Sequence, residues 1–448
     1  MHTNPVSSCE IILIDAENGN ILNNNTKTIR NKKLDKHEIL RQISHTEKIP
    51  TSSYREGVIL LPPGCIYTHD IKSKSSEIKI APYNTITPNP NSTDDPFEIL
   101  ASSIAIERSG TNDKKLVVRF SGGADSTCLL LAAIEVAGAD RVAAVTWIDS
   151  DFSANSDCIA AMATCKTLQI NHLFFRFEPR HFFQPIDPDN HLLITPGMAS
   201  DQVFENERYF ISGHLGDDYI ILDGHGGDHV FLDPVPTEAF QDLFRRKKII
   251  KAFKIATKIS KMTGSSIYET LFRNRRQRNN ESDQRSDFFN AQITPPLTLE
   301  KPETLREAHQ HAIIEAISQN ATSKTFNKET KIIFPFTSKE MIEYALKQDP
   351  YNMFDEFLTR LPLRRAIAKR YPTIPLRSDK GHITSAYQRG LRLHKNRILT
   401  TLKNSWLAKN NLINLSHIET MTSRSAMGIG GVDQLLLKII CASLIKEP

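Results

Sequence analysis

Between residues 96 and 223 the chain alternates between two periodicities, which limits the fold more than any other feature. Short apolar segments at 116–120, 142–147, 173–177 and 219–223 read as strands. Helical stretches start near residues 96 and 126, and another runs from 156 to 168. Strands separated by helices pair in parallel, with the helices as crossovers. A doubly wound α/β sheet follows, and ligands of such sheets bind beyond the C-terminal strand ends. The turns after residues 120 and 223 are therefore where chemistry is expected.

The remaining chain is organised around that sheet. Segments 9–15, 57–61, 65–68 and 77–80 read as strands, the first ending in the turn signal Glu17-Asn18-Gly19-Asn20. The polar, lysine-rich stretch 23–47 carries no clear pattern. Residues 85–94 have a linker composition of Pro, Asn, Ser, Thr and Asp. Directly afterwards, Asp95 fits an N-cap, Pro96 the first helical position and Glu98 the third, a capping-box arrangement. This reading divides the chain into a small β-rich unit, 1–94, and a larger unit, 95–448. From about 238 the pattern is mostly helical. The stretch 244–261 is basic, which fits either a solvated helix face or a surface for an anionic or peptide partner. Residues 273–287 are almost wholly polar and read as a mobile loop.

The first turn is Ser121-Gly122-Gly123-Ala124-Asp125-Ser126-Thr127. A strand, a glycine-serine turn and a helix N-terminus make an anion site, because free N–H groups of the first helical turn point at it. Asp125 repels a phosphate unless a cation lies between them, so the loop implies a nucleotide phosphate plus a metal. Many such turns are purely structural, and this one is neither a Walker A loop nor a Gly-x-Gly-x-x-Gly fingerprint. The second turn is Asp223-Gly224-His225-Gly226-Gly227-Asp228-His229. Asp228 reads either as a turn residue or as a second carboxylate on the same sheet edge. Two carboxylates facing a triphosphate suit Mg²⁺, which takes oxygen ligands and keeps phosphate and water in its shell.

The first loop resembles the Ser-Gly-Gly-x-Asp-Ser pyrophosphatase loop of enzymes that cleave ATP to AMP and pyrophosphate, asparagine synthetase among them. At the second turn asparagine synthetases carry Ser-Gly-Glu-Gly-Ser-Asp-Glu, and β-lactam and carbapenam synthetases place a tyrosine at that first glutamate. Here His225 stands there, a version that resembles the lasso-peptide cyclases of the same superfamily. Further likenesses follow in order: 333–340 to the Val-Pro-Phe-Leu-Asp segment, 363–368 to the helix after it, and Arg377-Ser378-Asp379-Lys380-Gly381-His382 to the segment bearing the family's active-site lysine. Gly430-Gly431-Val432 before a terminal apolar helix also fits. The first 94 residues resemble a degenerate glutaminase domain, mainly through Leu61-Pro62-Pro63-Gly64. A working glutaminase uses a cysteine as its mature N-terminal residue; residue 2 is His2 and the first cysteine is Cys9.

The resemblance implies ATP and Mg²⁺, with Ser121, Gly122, Gly123, Asp125, Ser126, Thr146 and Gly224 binding nucleotide. It assigns Asp125 and Asp228 to the metal, and Lys380 and His225 to catalysis. His225, with an ordinary pKa of roughly 6.5, would act as a base or as an orienter of the substrate. The β-lactam synthetases pair their tyrosine with a glutamate; by alignment Lys331 stands there, with Glu329 two residues away. The implied reaction is macrolactam formation in a precursor peptide after side-chain adenylation, with a leader peptidase as partner. Small-molecule amide formation of the asparagine or β-lactam synthetase type is the alternative.

Composition narrows the remaining classes. A net charge of +5 over 448 residues does not indicate a nucleic-acid binder, and no apolar run approaches the roughly 18 residues of a membrane span. The six cysteines are scattered without a Cys-x-x-Cys pair, so neither zinc nor a disulfide framework is expected. Residues 1–5 carry no signal-peptide pattern, and a cytoplasmic location is expected.

Overall fold

The computed structural model describes residues 12–17, 19–22, 32–44, 53–61, 64–70, 75–80, 94–111, 113–148, 156–176, 178, 182–185, 201–236, 238–264, 266–268, 287–290, 302–326, 331–374, 376–377, 384–429 and 433–445. The N-terminal part holds two antiparallel strand pairs. β1 (Ile12–Asp15) pairs with β2 (Val58–Leu61), and β3 (Cys65–Asp70) with β4 (Ser75–Ile80). The unpatterned polar stretch contains helix α1 (Lys36–Ser44), which buries Ile39, Leu40 and Ile43.

Five parallel strands form the central sheet: β5 (Lys115–Arg119), β6 (Val142–Ile148), β7 (Asn171–Arg176), β8 (Tyr219–Leu222) and β9 (Ile332–Ile333). Their order is β7-β6-β5-β8-β9. Two residues make β9 too short to leave a sequence signal. Helix α2 (Pro96–Arg108) begins as read, with the Asp95 carboxylate accepting a hydrogen bond from Phe97 N at 2.9 Å. Glu98 pairs instead with Arg370, 272 residues away. Helix α3 (Ala124–Ala137) starts two residues earlier than expected, because Gly123 serves as its N-cap; Asp125 and Ser126 thus lie in its first turn. Helix α4 (Ser156–Leu168) has the expected bounds, whereas α5 (Asp201–Leu215) was unread.

Beyond β8 come α6 (Gly227–Val230), α7 (Glu238–Arg245), α8 (Ile249–Thr263), α9 (Leu305–Phe326), α10 (Lys339–Lys347) and α11 (Leu361–Arg370). The C-terminal helices are α12 (Thr384–Asn404), α13 (Trp406–Lys409), α14 (Leu415–Ala426) and α15 (Gln434–Ser443). The basic stretch 244–261 spans the end of one helix and most of the next, divided by a turn at 246–248. No helix among the described residues is long and apolar enough to cross a membrane.

Both faces of the sheet are buried, as parallel sheets require. Leu116, Val118, Ile220 and Leu222 pack with α2, α3 and α9 to α11. Val117, Val145, Tyr219 and Ile221 pack with α5, α1 and the C-terminal helices. This is the doubly wound α/β architecture with a helical C-terminal region that the alternation predicted. The strand order also locates a crevice. From β5 the chain winds outward through β6 and β7, then returns to β8 on the other side of β5. The strand order reverses between β5 and β8, and ligands of open α/β sheets bind at such a point. The two glycine-rich turns leave those two strands.

Candidate active site

The loop after β5 is held by its own hydroxyls. Ser126 Oγ accepts from Ser121 N at 3.3 Å, donates to Gly123 O at 3.1 Å and lies 3.3 Å from Ser121 Oγ. Gly123 N donates to Ser121 Oγ at 3.4 Å. Gly122 turns the chain with a φ of 72°, a conformation that suits glycine. The first-turn amides of α3, lacking intrahelical acceptors, face the crevice side of the sheet. Thr146, in the C-terminal half of β6, donates to Phe120 O at 2.7 Å and so accepts from His172 Nε2 at 2.7 Å. Its hydroxyl thereby fixes the residue from which the loop departs. Burial pushes the His172 imidazole down to about 4, which keeps that ring neutral.

The loop after β8 is held by charge. Register opposes Val118 to Leu222; one residue further, Arg119 Nη1 donates to Asp223 Oδ2 at 2.7 Å. Arg119 also grips Glu207 of α5, through Nε at 2.9 Å and Nη2 at 2.5 Å, and Trp147 Nε1 donates to the other oxygen of that carboxylate. Glu207 is fully buried. Burial opposes the charge on Arg119, but the Glu207 and Asp223 carboxylates outweigh it and raise its pKa. Burial likewise opposes ionisation of Asp223, yet Arg119 and the His225 N–H hold its carboxyl below the usual range. The bond from His225 N to Asp223 Oδ1, at 2.8 Å, ties the whole chain of charges to the turn.

The two loops touch. A Cβ added at Gly227 would stand 2.7 Å from Asp125 Cγ, so only glycine lets this backbone lie on that carboxyl. Asp125 Oδ1 is 3.0 Å from Arg360 Nε, and Arg360 Nη2 is 2.6 Å from Asp233. Arg360 caps α11 with a left-handed φ of 59° and is buried. Both of those nitrogens are out of water yet make no well-aligned hydrogen bond, leaving donors for a further acceptor. On the same helix Arg364 Nη2 donates to Arg377 O at 2.7 Å.

Asp228 Oδ1 lies 3.1 Å from His229 Nδ1, and His229 Nε2 faces Glu315 of α9 at 3.9 Å. Burial works against a charged His229 ring, but these carboxylates prevail and raise it to about 9. His225 is the reverse case. Burial, with the neighbouring His229 charge adding to it, lowers its pKa and keeps it neutral at neutral pH. The two rings are 5.3 Å apart, and His225 Nε2 is buried without a hydrogen-bond partner among the described residues. A neutral imidazole with an unengaged buried nitrogen can take a proton or orient a polar group.

The asparagine synthase family model matches residues 103–437 of the chain. The chain belongs to the asparagine synthase family. The matched stretch includes both loops, Arg360 and Arg364. The chain is also 25% identical over 343 residues to the Microcin J25-processing protein McjC of Escherichia coli. That match covers 75% of this chain and 60% of the relative's length.

Within this family framework, the structure gathers Ser121, Gly122, Gly123, Asp125, Ser126, Gly224, His225 and Asp228 at the crevice between β5 and β8. Lys380, with residues 378–383, lies outside the described residues, as do Met1 to Cys9, most of the linker 85–94, the polar stretch 273–286, Glu329 and Gly430 to Val432. Lys331 donates to the Glu107 carbonyl at the opposite, N-terminal edge of the sheet. The groups around His225 are instead Asp223, His229, Asp228 and Gln319. Sequence reasoning missed Arg119, Glu207, Asp233, Glu315 and Arg360. Each acts across at least 80 residues or through burial, and neither leaves a local pattern.

The donor set fits Mg²⁺ and a triphosphate. Asp125, Asp228, Asp233 and Glu315 supply more carboxylate than Arg360 and His229 balance. Among the described residues no three His, Cys, Asp or Glu side chains form a metal cage. A divalent ion here would take its remaining ligands from phosphate and water, as Mg²⁺ does.

Proposed function

We propose that this protein is an ATP-dependent macrolactam synthetase acting on a peptide. In this reading an Asp or Glu side-chain carboxylate of a leader-trimmed precursor attacks the α-phosphorus of ATP, giving an acyl-adenylate and pyrophosphate. The N-terminal amine of the same peptide then attacks the acyl carbon, expelling AMP and losing a proton. The observation that carries the reading is the meeting of the Asp125 and His225 loops at the sheet's switch point, with Arg360 behind them. Family membership and the likeness to a peptide-processing protein support it.

The roles follow from the chemistry of each group. The Ser121 to Ser126 loop cradles phosphate with its amides. Bound Mg²⁺, held by Asp125 and Asp228, would neutralise charge on the triphosphate. Arg360 turns its spare donors to the same anion. His225, neutral and unengaged at Nε2, receives the proton of the attacking amine, whose own pKa is typically about 7.7–8.0. Lys380 stabilises the developing phosphoryl charge, a role that rests on the motif alone. The precursor and a leader peptidase are the expected partners.

The test is release of AMP and pyrophosphate from MgATP with a leader-trimmed candidate peptide, and a product lighter by one water. Asp125→Ala should abolish both. Pyrophosphate release with free aspartate and a small amine, but not with peptide, would instead establish a small-molecule amide former.

A further inference from the structure

The hairpin of α7 and α8 carries a surface that the proposed reaction does not use. Ala252, Ile255, Ala256 and Ile259 of α8 face the core. The tip turns four other apolar side chains to solvent: Phe244 is 52% exposed, Ile249 53%, Ile250 76% and Phe253 46%. They are braced rather than floppy. Phe240, half-buried on the core, stacks on Phe244 at 5.7 Å and meets Phe253 edge-on at 6.2 Å.

Cations surround them. Arg246 is held by Asp242 at 2.6 Å and Arg245 by the Glu303 carbonyl at 2.7 Å. Lys258 lies near Asp355, and Lys261 pairs with Glu356. Lys247, Lys248, Lys251 and Lys254 are exposed and face no carboxylate among the described residues. Helix α8 contains no acidic residue over its 15 positions.

The turn itself favours charge over comfort. Lys248 N donates to Leu243 O at 2.9 Å and Lys247 N to Phe244 O at 3.0 Å, the bonding of a Schellman motif. Its left-handed position, usually glycine, is Lys247 with a φ of 58°.

We infer that this hairpin tip docks the protein on an anionic lipid surface. Apolar side chains exposed at the end of a helical hairpin and ringed by lysine fit the boundary between headgroups and acyl chains. The tip cations that face no carboxylate among the described residues are all lysine, a flexible point charge suited to many headgroup phosphates rather than to one shaped partner.

The experiment is flotation of the full chain with phosphatidylcholine vesicles, with and without about one-third phosphatidylglycerol. The anionic vesicles should bind at least ~10-fold more protein and release it near ~0.5 M salt. Combined Lys247→Glu, Lys251→Glu and Lys254→Glu should abolish binding, and combined Ile250→Asp and Phe253→Asp should weaken it ~10-fold or more. Combined Lys115→Glu, Lys166→Glu and Lys369→Glu, the same charge change elsewhere, should leave it intact. Lys247→Gly should melt no lower than the natural protein yet bind vesicles more weakly, a pairing that a structural role for the lysine would not produce. Absence of vesicle binding, or binding untouched by the tip variants, would overturn the inference. So would tip-dependent binding of polyglutamate without vesicle binding, which marks an acidic protein partner, or tip-dependent dimerisation in light scattering.

Discussion

The two loops of the candidate active site leave adjacent parallel strands at the same edge, yet different forces hold them. The Ser121 to Thr127 loop closes on itself through hydroxyls no more than five residues from their partners. The Asp223 to His229 loop is held by Arg119 and Glu207, which are 104 and 16 residues from Asp223 in sequence, and by Glu315 on α9. A phosphate cradle needs only backbone amides in one shape, and a short motif can specify that shape. A base and a metal ligand need set charges, and charge is set by whatever the fold brings near.

The largest effect should come from breaking the charged support. Arg119→Met leaves Glu207 buried and unpaired, and loss of one partner of a buried pair costs about 3–5 kcal/mol. Urea denaturation should show that loss; a midpoint near the natural protein's would mean that the second loop does not depend on the network. Next is the contact between the loops. Gly227→Ala puts a methyl where Asp125 Cγ stands, 2.7 Å away. Displacing Asp125 even slightly should cut pyrophosphate release ~10²-fold while the protein stays folded by circular dichroism.

The histidines make the contrast pH-dependent. His229 titrates near 9 in the fold against 6.5 when exposed, so its stabilising contribution is complete below 6.5 and lost as pH rises through about 9. A change on the order of 2 kcal/mol in the ligand-free protein should appear across that window and be flattened by His229→Gln. His225 has the opposite sign, its pKa lying below 6.5. Its base form persists on mild acidification, so the ratio of ring-closure rates between the natural protein and His225→Ala, in which the amine's own titration cancels, should fall only below pH 6.5. The smallest effect belongs to the self-contained loop. Ser121→Ala removes two long hydrogen bonds and should cost only about 0.5–1.5 kcal/mol, read from the same urea curves.

What could be read from the chain follows the same division. Strands β5 to β8, helices α2 and α4, and both glycine-rich turns were legible because apolar runs, caps and glycines act within a few residues. Helix α5 and strand β9 were not: α5 mixes polar and apolar residues along its length, and β9 has two residues whose pairing depends on β8. The turn inside the basic stretch 244–261 was not legible, since a positive-φ lysine leaves no mark that a glycine would have left. Arg360 was invisible for a related reason. Its burial between Asp125 and Asp233 comes from tertiary packing, and an isolated arginine before a helix ordinarily reads as solvent-exposed.

By itself, then, the sequence determined a doubly wound sheet, the two glycine-rich turns at its C-terminal edge and the family those turns resemble. These depend on periodicity, on backbone freedom at glycine and on short-range hydrogen bonds. Only the tertiary structure decided that the turns meet at the β5–β8 switch point, that Arg360 lies against Asp125, and that His225 is neutral while His229 is charged. Those outcomes depend on distance and desolvation between residues far apart in the chain.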